Sequence, residues 1–309
     1  MAFDGPLTGR VALVAGATRG DGRAIAVELA RAGACVSATG RGSRVSGPSE
    51  LGWPEPIEET GDLMRAAGGD AQALVVDHLQ SEAVERLPAR ISGEHGRLDL
   101  LMNDMFGGDR YVEWDRPLWE HDLEGGLRML RMGIDTHLIT GAMAMPLLLG
   151  TGGSLVVEMT EGTWAFNASP RRGVGLYDDL VKATVDRIVK GLALERDGPP
   201  VTVVGVTPGW LRSERMLAGF GVTEANWQDA CCEQPHFAIS ESPTYVARGV
   251  AALARGHAGG AVRGRSAHLA ATGRPVRSHR HRRLPPGQLG PARGAWDRVC
   301  RADGIAPFR

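Results

Sequence analysis

Lysine is nearly absent from this chain of 309 residues. Lys182 and Lys190 are the only two, and arginine carries the rest of the positive charge. Tyrosine is scarce too, with Tyr111, Tyr177 and Tyr245 alone. A site built on a phenol and an ammonium therefore has few places to be. The four cysteines, Cys35, Cys231, Cys232 and Cys300, show no CxxC or Cys/His metal spacing. That argues against a disulfide framework or a metal site and fits reduced thiols in a cytoplasmic protein. No basic-then-apolar leader opens the sequence. The longest apolar run, LITGAMAMPLLLG, is shorter than the about 20 residues of a membrane span, so no membrane partner is expected.

Charge of one sign is missing from the end of the chain. Residues 255–309 hold 12 Arg against two acids, Asp297 and Asp303, while the whole chain has a formal net charge of −1. An acidic body thus carries a basic tail. A nucleic-acid-binding tail would interleave aromatics with its cations. Here the Arg/Pro/Gly/His run has only Trp296, so nucleic acid is not the expected partner. Residues 272–309 lack any apolar period and read as a disordered or loosely packed extension.

The first 255 residues are regular by contrast. RVALVAGA, ACVSATG, AQALVVD, LDLLMN, SLVVEM and VTVVGV read as short buried strands. Helical patterns separate them: GRAIAVELARAG, IEETGDLMRAAGG, SEAVERLPARISGEHG, two stretches within 116–149, 175–194 and SPTYVARGVAALAR. Such alternation predicts an α/β fold, a doubly wound parallel sheet of the Rossmann type, as one domain over residues 1–271. Ligands of these sheets bind beyond the C-terminal strand ends.

AGATRGDGRAIA places Gly16, Gly20 and Gly22 between the first strand and the first helix. Glycines there permit a tight turn and a close backbone approach, and the helix N-terminus offers free N–H groups to a diphosphate. Thr18 and Arg19 lie in the same loop. After the second strand, a site for a free ribose 2′-hydroxyl would carry Asp or Glu. This chain has Arg41, with Arg44 beyond it. Arginine forks fit a 2′-phosphate, so the expected cofactor is NADP(H) rather than NAD.

GATRGDG, Asp77 after the third strand, LDLLMND and VTPGWLRSE occur in this order on these elements. Together they resemble the short-chain dehydrogenase/reductase superfamily over about residues 8–270, and NDMFGGD and GVTEANW resemble a bacterial branch of it. The resemblance implies that the glycine loop holds the phosphates and that Asp77, with His78 beside it, holds the adenine. It also implies a structural Asn103 near the cofactor and a segment of Pro208, Gly209 and Ser213 closing over the nicotinamide. It implies hydride transfer on a carbonyl/alcohol pair, and a homodimer or homotetramer formed through the helices near 116–149 and 175–194. Asp21 departs from the pattern, because a carboxylate beside a diphosphate must point away or pair with Arg19 or Arg23.

The family's chemistry rests on a Tyr acid/base, a Lys four residues later, a Ser after the fifth strand and an Asn on the preceding helix. Lys182 matches the Lys, and Thr160 stands at the Ser position. No asparagine occurs between Asn103 and Asn167. Four residues before Lys182 stands Asp178, not tyrosine. Tyr177 is five before it, about 140° away around an ideal helix. A one-residue bulge would let Tyr177 serve as the acid. Without one, Tyr177 packs against a neighbouring helix. Asp178, its pKa lowered by the ammonium, could instead act as a base in lyase or isomerase chemistry. A cofactor-binding protein that has lost hydride transfer is the remaining alternative. Trp114, Trp119, Trp164 and Trp210 could line a small apolar or aromatic substrate pocket.

Overall fold

The computed structural model describes residues 5–162, 167–171, 173–195, 201–258 and 268–270. The basic stretch 272–309 and Trp164 lie outside the described residues. Seven strands form one sheet: β1 (Val11–Ala15), β2 (Cys35–Gly40), β3 (Ala71–Val75), β4 (Leu100–Asn103), β5 (Ser154–Met159), β6 (Val201–Thr207) and β7 (His268–Ala270). Their order is β3-β2-β1-β4-β5-β6-β7, and every neighbouring pair is parallel. β7 is the one strand not anticipated from the sequence, because three residues carry too little periodicity to register.

Both faces of the sheet are covered, as parallel sheets require. β1 shows how the sequence does this, since alternate residues of a strand point to opposite faces. Ala12 and Val14 join one core, with Ile25 and Leu29 of α1 (Gly20–Arg31), Met64 of α2 (Ile57–Ala66) and Val250 of α8 (Pro243–Ala258). Val11 and Leu13 join the other, with Leu87 of α3 (Ser81–His95), Leu148 of α5 (Thr136–Thr151) and Val189 of α6 (Leu176–Leu194). β2 lies on one side of β1 and β4 on the other, which opens a crevice at their C-terminal ends.

The helix α4 (Leu123–Leu130) starts at Asp122, whose carboxylate accepts the Glu124 and Gly125 N–H groups as an N-cap. It runs into α5 through a π-helical turn, Arg131–Asp135. Gly133 sits in this turn, and a Cβ there would lie 2.3 Å from Val181 Cγ1, so α6 packs directly onto it. The helical run Leu123–Thr151 is long and apolar enough, by length and composition alone, to cross a membrane, and 44% of its window is buried within the protein. Arg128, Arg131 and Asp135 interrupt it in the sequence, so its uninterrupted apolar run is shorter than a span.

Candidate active site

A cavity of about 1000 Å³ lies at the C-terminal ends of the strands. The loop from β1 to α1 forms its floor. Gly16 has φ +87°, and a Cβ there would meet the Asp104 carbonyl oxygen at 2.0 Å. A Cβ on Gly22 would meet the Gly16 carbonyl oxygen at 2.4 Å. Only glycine lets this cradle close. Gly16, Thr18, Arg19 and Gly20 line the cavity, whereas Gly22 serves the packing behind it.

Asp21 lines the cavity as well, and neither Arg19 nor Arg23 pairs with it. Arg19 binds the Asp109 carboxylate at 3.2 Å and stacks on Trp53, while Arg23 donates to the Thr18 carbonyl and to Glu59. Asp21 has no hydrogen-bond partner on Oδ1 and is almost fully buried. Burial first, then the neighbouring Asp104, Glu214 and Glu241, push its pKa well above the usual carboxylate range. A carboxyl pushed towards its protonated form repels a diphosphate less, which eases the conflict the sequence posed by a route the sequence did not reveal.

The adenosine side is lined by Arg41, Asp77 and His78, and by Ser49, Leu51, Trp53 and Glu55 of the long loop after β2. Arg41 reaches Glu50 at 3.3 Å. Arg44 turns away to pair with Asp62 on α2 and does not line the cavity. His78 bridges Thr39 (2.8 Å) and Thr140 (2.7 Å) through its two ring nitrogens, and burial pushes its pKa down to about 4. Asn103 does not line the cavity. It is fully buried behind it and donates to Glu158 at 2.9 Å.

On the far side, Pro208, Gly209 and Ser213 line the cavity together with α7 (Glu214–Gly219). Ser213 Oγ accepts the Met216 N–H as the N-cap of this short helix. The Glu214 carboxylate accepts the Gly20 N–H at 3.0 Å, at the very start of α1. Arg215 binds the Asp109 carboxylate. The sequence flagged neither contact, because each joins segments far apart in the chain.

The chemical end is set by the register of α6. This helix is regular over Leu176–Leu194, and the bulge that would have turned Tyr177 inward is absent from it. The π-type irregularity lies instead at Arg131–Asp135. Tyr177 therefore faces α4: a Cβ on Gly126 would lie 2.3 Å from its ring, Met129 and Val181 pack beside it, and the His121 ring is 5.7 Å away. Tyr177 is not among the cavity-lining residues, and its ring packs on α4 instead. Asp178 and Lys182 do line the cavity, as their four-residue spacing on one helical face requires.

Lys182 is held by a residue not anticipated from the sequence. Its ammonium lies 3.1 Å from Glu161 and 3.5 Å above the Phe106 ring. Arg171 also binds Glu161 (2.7 Å) and Asp179 (3.1 Å). The Asp178 pKa is raised, not lowered as the sequence suggested. Burial outweighs the attraction of Lys182, and Glu161 adds repulsion. Thr160 is buried, and its hydroxyl donates to the Val206 carbonyl at 3.2 Å, which leaves its oxygen free to accept. Trp114 and Trp210 line the cavity with Phe106 and Phe220, whereas Trp119 is exposed and does not.

A family model described as short chain dehydrogenase matches residues 10–219. The chain belongs to the short-chain dehydrogenase family. It is 28% identical over 255 residues to the mouse protein "Dehydrogenase/reductase SDR family member 1", covering 81% of this chain and 76% of that one. A solved short-chain dehydrogenase/reductase chain from Burkholderia xenovorans shares the fold with a TM-score of 0.68, at 24% identity, over 87% of this chain and 98% of its own. A Beutenbergia cavernae structure with bound NADP aligns with a TM-score of 0.64 at 24% identity, over 86% of this chain and 96% of that one. As a short-chain dehydrogenase the chain is an oxidoreductase by family. Its departure from that family is local: Asp178 occupies the cavity position four residues before the lysine.

Proposed function

We propose that this short-chain dehydrogenase is an NADP(H)-dependent oxidoreductase of a small substrate with an apolar or aromatic body. The observation that carries the reading is that Asp178 and Lys182 face the same cavity that the glycine cradle opens onto. Gly16, Thr18 and Gly20 would hold the diphosphate, Asp77 the adenine and Arg41 the 2′-phosphate. Lys182 would hold the nicotinamide ribose, with Pro208, Gly209 and Ser213 over the ring. The cofactor, when bound, supplies or accepts the hydride. Arg41 stands just after β2, where an NAD site would carry an acid, which supports NADP over NAD, and the 2′-phosphate would have to draw it from Glu50.

Asp178 takes the proton-handling role in place of a phenol. An ionised carboxylate accepts a proton more readily than it gives one, which favours oxidation of an alcohol over reduction of a carbonyl. Thr160 offers an acceptor for the substrate hydroxyl. The Glu161–Lys182 pair favours a second reading, in which the cofactor is bound without turnover because the lysine is already occupied.

The exposed Leu123 and Leu127 on α4 and Leu176 and Leu180 on α6 support a homodimer or homotetramer as the assembled form, since these two helices pack together. Fluorescence titration with NADPH and NADH tests the cofactor. Tighter NADPH binding, selectively weakened in Arg41→Ala, is the expected result. No binding at millimolar cofactor removes both readings.

A further inference from the structure

We infer that Asp178 receives a positively charged nitrogen, so that the substrate of this cavity is an amine, oxidised to its iminium. The inference rests on the oxidoreductase reading for its chemistry, but not for the binding that it predicts.

The first ground is a buried carboxylate without a hydrogen bond. Asp178 is only 6% exposed, lines the cavity and makes no hydrogen bond among the described residues. Its nearest cation is Arg171, with Nη2 4.0 Å from Oδ2. That guanidinium gives Nη1 to Glu161 and Nε to Asp179, and its Nη2, though free of any hydrogen bond among the described residues, stays beyond hydrogen-bond distance of Asp178. Lys182, the other cation in reach, is committed to Glu161 and to the Phe106 ring. Its pull on Asp178 does not overcome burial, and Glu161 and Asp109 add repulsion. A buried carboxylate left short of positive charge gains from an incoming cation, because attraction is stronger away from bulk water.

The second ground is the wall of the site. Trp114 and Trp210 line the same cavity, together with Val112 and Met159, and Phe106 lines it with Lys182 already over its ring. Aromatic faces attract an organic cation and exclude water around its apolar body. The combination of one buried anion with aromatic walls suits an aralkylammonium better than a neutral alcohol.

The third ground is the charge that develops in the reaction. Reduction of a ketone would place an alkoxide against Asp178, which is repulsive. In amine oxidation the ammonium first loses one N–H proton to water. The nitrogen lone pair then closes the C=N bond while the C–H electron pair leaves as hydride to the oxidised nicotinamide cofactor. One proton and one hydride are released, the amine is oxidised by two electrons, and the cationic iminium faces the carboxylate. The attraction is lost when the ammonium gives up its proton and returns as the iminium forms, so Asp178 stabilises the positive charge that develops in the hydride-transfer step.

The test compares benzylamine with benzyl alcohol, which share size and ring but differ in charge. Intrinsic tryptophan fluorescence of the full chain, without cofactor, follows binding at neutral pH. Benzylamine should bind about tenfold more tightly or better, as expected for one added hydrogen bond between charged groups. Asp178→Asn should erase that preference, and Asp178→Glu should keep it, with melting curves showing that both variants are folded. Equal binding of amine and alcohol by the unaltered chain, a comparison that needs no variant, overturns the inference. So does a preference that survives Asp178→Asn. With NADP present, reduced cofactor should form faster from the amine than from the alcohol. Failure of the chain to bind NADP would remove the oxidoreductase reading alone, because the amine titration uses no cofactor.

Discussion

The Glu214 carboxylate accepts the backbone N–H of Gly20 at 3.0 Å, so an acid of this chain occupies the first free donor of α1. That donor belongs to the helix N-terminus where a diphosphate is expected to sit. Asp109 braces the contact by binding Arg19 from the loop and Arg215 from α7. Glu214 therefore competes with a cofactor phosphate for the same N–H. Glu214→Gln weakens the competitor while keeping its shape. NADPH should bind about tenfold more tightly to this variant, since a hydrogen bond to a charged group is worth roughly 1.5–3 kcal/mol. Isothermal titration of both proteins measures it, and unchanged or weaker binding would show that Glu214 does not block the phosphate site.

Tyr177 and Asp178 are neighbours in sequence with opposite surroundings, one packed on α4 and one facing the cavity. Tyr177→Phe should leave turnover within about twofold on any substrate found. Asp178→Tyr places a phenol four residues before Lys182, facing the thiol-free cavity wall where the carboxylate stood. A positioned general acid contributes about 10²–10⁴-fold. Carbonyl reduction should therefore rise by about 10²-fold or more in Asp178→Tyr, measured as NADPH consumption with an aromatic ketone. A large loss in Tyr177→Phe with no gain in Asp178→Tyr would return the acid role to Tyr177.

The layout of the sheet was legible because its causes are local. Runs such as VALVA and VTVVGV are short, apolar and bounded by glycine or proline, and each became a strand. The glycine cradle was legible for the same reason, since Gly16, Gly20 and Gly22 are close in sequence. Lys182 stood out through the scarcity of lysine. The role of Tyr177 was not decidable from its own segment. Its direction follows from the regular register of α6, from the bare face of Gly126 and from the close seat of Val181 on Gly133, all contacts between distant segments. Glu161 and Glu214 were missed because nothing near them in sequence marks an acid that will meet Lys182 or Gly20. The Asp178 pKa was expected in the wrong direction, because a pair rule was applied without the burial that outweighs it.

Gly126 gives a test of the α4–α6 contact. Alanine is ordinarily favoured over glycine in a helix interior by about 1 kcal/mol. Here an added Cβ would lie 2.3 Å from two carbons of the Tyr177 ring. Overpacking of this kind costs about 1–3 kcal/mol. Gly126→Ala should therefore lower stability in urea unfolding in spite of its helix propensity. The same change in a Tyr177→Leu background should cost less, and the difference reads the contact itself. Equal effects in the two backgrounds would place the Tyr177 ring elsewhere.

His137 supplies a pH dependence that is separate from catalysis. Its Nδ1 lies 2.6 Å from the Glu158 carboxylate and its Nε2 lies 2.7 Å from the Met105 carbonyl, all deeply buried. The Met105 carbonyl only accepts, so Nε2 carries a proton, and the Glu158 carboxylate beside Nδ1 favours the imidazolium form. Burial, the largest single effect, lowers its pKa, but the Glu158 carboxylate, the Met105 carbonyl and Asp104 together raise it. A group with a raised folded-state pKa stabilises the fold fully below its unfolded value, about 6.5. That stabilisation is lost as pH rises through the higher folded-state value. Melting temperature should therefore fall on the alkaline side, from about pH 6.5 upwards. Glu158→Gln removes the charge that raises the pKa, and this fall should flatten in it, beside an overall loss of about 3–5 kcal/mol for breaking a buried pair. An unaltered chain whose melting temperature stays level or rises across that range would show that His137 is neutral in the folded protein.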